Sequence, residues 1–258
     1  MRSMGYILCQ VPRAKNPYYI ENISTNIYSI EELCYYMYHN IYLLDESIMN
    51  ESLCLWIRDE LGLEKLCQKL LSLTGDNMDV GEFILPIFKE INYLTYTEFK
   101  EISKKLKTLE EQPEGVRMKQ KGDYLFSHEK YINAIRVYMQ ALQKTKSDNL
   151  GVQYKGSIYN NMGCTYARLF QTAEAFECFE HAYDILHSGR ALKSYLLSAY
   201  FNKGKELYEQ LCEKEGVDQK TKHMMDAQIK KAQDVVLPKN IDPLLDNWAL
   251  SYHRSTDL

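Results

Sequence analysis

Apolar side chains recur through most of this chain at steps of three and four residues, the period of a helix with one buried face. Ser29 with Glu32 three residues on forms a capping box, and it opens a helix carrying Leu33, Tyr36 and Met37 on one side. Asn50 caps the next helix, which has Leu53, Trp56, Ile57 and Leu61 on its inner face and Gly62 as its stop. Leu66, Leu70 and Leu73 mark a helix over 63–73. Asp79 with Glu82, and Thr95 with Glu98, open two more over 80–93 and 96–110, and Pro86 predicts a kink or a break in the first of these. Before residue 29 the period is lost. Residues 6–9 read as a short strand, and 11–28, rich in Asn, Pro and Tyr, read as part of an extended leader over 1–28 with room for a small β-ribbon.

The polar run at 111–115, with a Pro and a Gly, is the clearest break in the pattern and predicts a domain boundary. It divides a mostly helical N-terminal domain, 1–110, from long helical stretches over 116–236. A turn-rich link and a tail, 237–258, follow, the tail holding one short amphipathic helix around Leu244 to Tyr252. Asp218 caps a closing helix with Met225, Ile229, Ala232 and Val236 inside and Lys220, Lys222, Lys230, Lys231 and Asp234 outside.

Composition agrees with an all-α fold: 6 Pro and 12 Gly in 258 residues are too few for the turns of a sandwich or barrel. The seven cysteines, 9, 34, 54, 67, 164, 178 and 212, are odd in number, scattered and without a C-x-x-C pair. They read as small buried apolar residues in a reducing cytosol. No run approaches the ~18 apolar residues of a membrane span and the start is too short in apolar residues for a secretory signal, so a cytoplasmic protein without a membrane partner is expected. Net charge is −4, with −7 on residues 1–115 and +3 on 116–258. A mild excess without a basic stripe gives no reason to expect nucleic acid.

Two stretches beyond the break repeat each other. Gly122, Ala134, Tyr138 and Ala141 are separated by 12, 4 and 3 residues, and Gly163, Ala175, Phe179 and Ala182 by the same intervals. Small residues let two antiparallel helices approach at a crossing, and the ring between them is expected to fill the groove against the next pair. Each pair leaves an apolar face that a neighbouring pair covers, so a stacked array follows. With Tyr166 in the second copy, and Leu125 in its place in the first, the pattern resembles a tetratricopeptide repeat over roughly 116–214. The 41-residue spacing exceeds the usual ~34, and the extra two turns predict that the first helix of the second copy begins near Asp148. Lys193 to Glu213 reads as a divergent third unit.

The six histidines form no metal-binding pair, and no phosphate loop or nucleophile elbow occurs, so the reading is non-catalytic, with no metal and no cofactor. The tyrosines of 35–42 read as core with hydroxyls at the surface, and Trp56 and Trp248 as packed anchors. The resemblance implies a concave groove that binds a protein or peptide partner, as in an adaptor or scaffold. Lys119, Asn161 and Lys193 look like three of the five residues of the dicarboxylate-clamp subclass, with Asp123 and Leu197 standing where Asn and Arg are expected. A second use of the groove is main-chain recognition by the amides of Asn160, Asn161 and Asn202 with Arg168 and Tyr200; Phe126 is a further candidate contact. In this the chain also looks like intracellular peptide-pheromone receptors of Gram-positive bacteria. The alternative is an intracellular signalling-peptide receptor or a regulatory subunit in which the N-terminal domain does the recognition. The oligomeric state is left open.

Overall fold

A computed structural model describes residues 11–74, 79–234 and 240–256, so the strand expected at 6–9, Cys9 and Val236 lie outside the described residues. The fold is all-α, with thirteen α-helices and one two-stranded ribbon among the described residues. The chain falls into two compact units, 1–191 and 192–258.

The first unit begins with the ribbon: β1 (Tyr18–Ile20) pairs antiparallel with β2 (Thr25–Ile27), Tyr18 opposite Ile27. Ile20 and Ile27 point into the core. The leader ahead of them is fastened by polar bonds. The Glu60 carboxylate accepts the backbone N–H groups of Lys15 and Asn16 at 2.9 and 3.0 Å, and the Trp56 indole donates to the Asn16 carbonyl at 2.8 Å. Trp56 is accordingly buried.

Five helices follow: α1 (Ile30–His39), α2 (Glu51–Asp59), α3 (Glu64–Leu71), α4 (Val80–Glu90) and α5 (Tyr96–Glu110). Ser29, Asn50, Asp79 and Thr95 each sit at an N-cap and accept the backbone N–H three residues on, which satisfies an otherwise orphaned donor for about 1 kcal/mol apiece. Thr95 and Glu98 complete a reciprocal box. Glu32 reaches one residue further back, to the Tyr28 N–H at 2.6 Å. Pro86 does not break α4, which continues to Glu90.

The repeat forms two helix pairs, α6 (Glu114–Ser127) with α7 (Tyr131–Ser147) and α8 (Val152–Arg168) with α9 (Thr172–Leu186). Their turns are built alike. Lys130 donates to the Leu125 carbonyl at 2.9 Å and Gln171 to the Tyr166 carbonyl at 3.0 Å, while Glu129 and Phe170 hold the left-handed conformation at φ 61° and 58°. The ring of each copy lies against the glycine of its own pair. A methyl placed on Gly122 would stand 2.5 Å from the Tyr138 ring, and one on Gly163 would stand 2.8 Å from the Phe179 ring. The ring thus occupies the space the glycine leaves. A second glycine, seven residues earlier, recurs in both copies: Gly115 lies against Leu150 and Lys144, and Gly156 against Ile185 and Leu186.

The added length of the second copy falls elsewhere than expected. The helix α8 starts at Val152, not near Asp148, because Asn149 turns left-handed at φ 51° and the Leu150 N–H returns to the Thr145 carbonyl at 3.0 Å, closing α7. Asp148 accepts the Gly115 N–H at 2.5 Å.

The turn at 111–115 separates α5 from α6, and one continuous apolar core runs past it, from Ala14 through Leu106 to Tyr138 and Cys178. Polar bonds cross the same line. Lys121 meets Asp45 at 2.6 Å, the Tyr124 hydroxyl donates to Asn40 Oδ1 at 2.8 Å, and Asn133 donates to the Asn22 carbonyl at 3.2 Å.

In the second unit α10 (Gly189–Lys203) enters from the first, Gly204 turns at φ 90°, and α11 (Lys205–Lys214), α12 (Gln219–Gln233) and α13 (Asp242–Thr256) follow. The Tyr208 hydroxyl donates to Asp226 at 2.8 Å and the Gln233 amide donates to the Tyr200 hydroxyl at 2.9 Å. Met225 and Ile229 are buried as expected, but Ala232 is exposed near the end of α12. Trp248 is 63% exposed on α13 and is no packed anchor. No helix of the described residues is long and apolar enough to cross a membrane.

Candidate functional site

The residues expected to contact a ligand divide between the two units. Lys119 and Phe126 lie on α6, Asn160, Asn161 and Arg168 on α8, and these belong to the first; Lys193 and Asn202, both half-buried on α10, belong to the second.

Within the first unit a polar network forms around Asp123. Lys119, one turn earlier on α6, holds its ammonium 2.7 Å from Oδ2. Oδ1 accepts two hydrogen bonds, from the Tyr138 hydroxyl at 2.7 Å and from the Asn161 amide at 2.7 Å. Asn160 extends the set by donating to Asn161 Oδ1 at 3.3 Å. Three helices therefore meet at one carboxylate. Geometry explains why: without a Cβ at Gly122 the Tyr138 ring crosses onto α6, and its hydroxyl arrives beside residue 123. Burial, with the Asp123 charge beside it, pushes the Tyr138 hydroxyl well above the ordinary tyrosine range, so it donates throughout the physiological pH range.

The chemistry of this face is that of an acceptor. Lys119 and Asn161 direct their donors to Asp123, so a carboxylate arriving from a partner would meet one already in place. The Asp123 side chain remains 39% exposed, and a carboxylate has about four acceptor positions, of which three are filled here. The face thus offers one aligned acceptor and the Asn160 and Asn161 amides. Phe126 is partly buried with its ring 5.7 Å from that of Tyr131, outside the network. Arg168 stands exposed in the last turn of α8.

Tyr138 is a member of the site that reasoning from the repeat assigned to packing alone. A signal for it does exist in the sequence. Where the first copy has Asp123 and Tyr138 the second has Cys164 and Phe179, so the carboxylate and the hydroxyl depart from the repeat together. Among the described residues no group of three or more His, Cys, Asp or Glu could hold a metal ion. Comparison with known proteins returns no matching family model, no matching curated relative and no matching solved structure.

Proposed function

We propose that the chain is a non-catalytic binding protein, an adaptor or scaffold of the tetratricopeptide type, that receives an extended protein or peptide segment on the face of α6 and α8 around Asp123. The observation that carries this reading is a carboxylate held in place by Lys119, Tyr138 and Asn161 and still open to solvent. A site ordered before the ligand arrives avoids the entropy cost of fixing its side chains on binding. The ligand it selects is rich in neutral donors: main-chain N–H groups at Asp123, and peptide units against Asn160 and Asn161. A terminal carboxylate is disfavoured there because Lys119 and Asn161 already give their donors to Asp123.

The test is selection of a random-peptide display library on the purified full chain, followed by affinities of the enriched peptides for the native protein and for Asp123→Asn. That substitution keeps shape and one acceptor while removing the charge. Enriched peptides are expected to bind the variant at least about tenfold more weakly, as for loss of a charge-assisted bond. Failure to enrich any sequence, or equal affinity for both proteins, would reject the assignment.

A further inference from the structure

The opposite face of α6 borders a cleft of about 550 Å³, lined on its other side by Tyr42 and residues 44–47. Residues 114, 117, 118 and 121 lie on neighbouring rows of the helix, about half a turn away from Lys119 and Asp123, so this cleft is separate from the site above. Its volume is within the range of small-ligand sites.

Six charged residues line it, and four are already paired. Lys121 meets Asp45 at 2.6 Å and Lys144 meets Glu114 at 2.7 Å. Each ammonium is thereby neutralised locally; burial acts to raise the Asp45 carboxyl, and the charge and hydrogen bond of the Lys121 ammonium outweigh it and hold the group below the usual range. Arg117 and Glu46 are left over. Neither has an ion pair among the described residues, and the Arg117 Nε–H is buried without a hydrogen-bond partner. A buried donor left unmatched costs about 1–3 kcal/mol, so such a group calls for a partner. Tyr42 and Met118 supply apolar wall beside these charges.

We infer that this cleft binds a small dipolar molecule through its carboxylate, which Arg117 receives, and its cationic group, which Glu46 receives: a free α-amino acid or the end of a short peptide. The guanidinium fork matches a carboxylate with two parallel bonds, which an ammonium cannot do. Phosphate is disfavoured because Arg117 is the one lining cation without an ion pair and Glu46 stands in the same cleft, so a dianion would leave charge unmatched. A monoanion that carries its own positive charge balances both leftover groups at once. The inference stands apart from the Asp123 reading, since the two sites use different faces of α6.

The experiment is saturation-transfer NMR on the purified full chain with each of the twenty free α-amino acids, a set of dipeptides, and their N-acetyl and C-terminal amide forms. At least one free amino acid or dipeptide is expected to bind, with either blocked form at least about tenfold weaker. Preference for the amino acid or the dipeptide identifies which source the cleft accepts. Arg117→Gln should weaken binding by a similar factor and Arg117→Lys by less, while Asp123→Asn should leave it unchanged. The Arg117 Nε–H resonance should move during titration of the native protein, a readout that needs no variant to fold. Absence of binding at millimolar ligand, a stationary Arg117 resonance, or equal affinity in a folded Arg117→Gln protein would overturn the inference.

Discussion

A single hydrogen in place of a methyl sets the approach of each helix pair. At Gly163 an added Cβ would lie 2.8 Å from two carbons of the Phe179 ring, which must then shift within a packed crossing. Overpacking of this kind costs about 1–3 kcal/mol, and relief of glycine's poor helix propensity returns about 1 kcal/mol. The clash should prevail. Gly163→Ala is expected to lower stability by about 1 kcal/mol, read as a lower urea midpoint at unchanged slope. Gly189→Ala, whose methyl meets nothing within 4 Å, should stay within about 0.5 kcal/mol of the native protein. A Gly163→Ala midpoint equal to the native one would show that the crossing has slack. The small positions were legible in the sequence because their spacing repeats. Their contact partner was not, because a ring four residues after Ala175 can turn to either side of its helix, and only the absent Cβ of Gly163 decides which. The Asp123 network was hidden for the same reason: its members, 119, 123, 138 and 161, are neighbours only after the pair has closed.

Single elements were read more completely than their contacts. Asn50, Asp79, Thr95 and Asp218 act within three residues of their own position, so the caps of α2, α4, α5 and α12 follow from local sequence. The end of α7 at Ser147 did not, since it depends on a left-handed Asn149. The two carboxyls at the start of α4 make a testable case. Asp79 caps the helix, and Glu110, from the end of α5, accepts the Gly81 N–H at 3.0 Å beside it. Burial first, and then Asp79, push the Glu110 carboxyl up from 4.5 to about 7. A carboxyl raised in the folded state binds its proton there while the unfolded chain has lost it, so stability falls as pH rises from about 4.5 to about 7. Melting temperature measured from pH 5 to pH 8 should therefore decline for the native protein and decline less for Glu110→Gln. Parallel profiles would place Glu110 in water.

At the scale of the molecule, the helices before residue 111 and the first repeat pairs share one core, so neither half of that unit is complete without the other. Removing residues 1–115 would strip Lys121 of Asp45, Tyr124 of its acceptors at His39 and Asn40, and Leu125 and Tyr138 of part of the same core. A fragment of 116–258 should melt roughly 10 °C or more below the full chain by circular dichroism, since each kcal/mol lost lowers the midpoint by a few degrees. An equal midpoint would mean the repeats fold independently. Loss of ligand by such a fragment would for this reason say little about which residues touch the ligand. The substitutions at 117 and 123 answer that question with the core intact.

The chain contains two tryptophans, and the fold treats them oppositely. Trp56 is 8% exposed in the first unit, its indole bonded to the Asn16 carbonyl, and Trp248 is 63% exposed in the second. Each unit therefore carries its own fluorophore, one in an apolar setting and one in water, with emission at different wavelengths. With Trp248 replaced by Phe, the tryptophan emission that remains comes from the first unit alone, and the opening of its leader, its ribbon and α2 can be timed optically while the second unit adds no tryptophan signal.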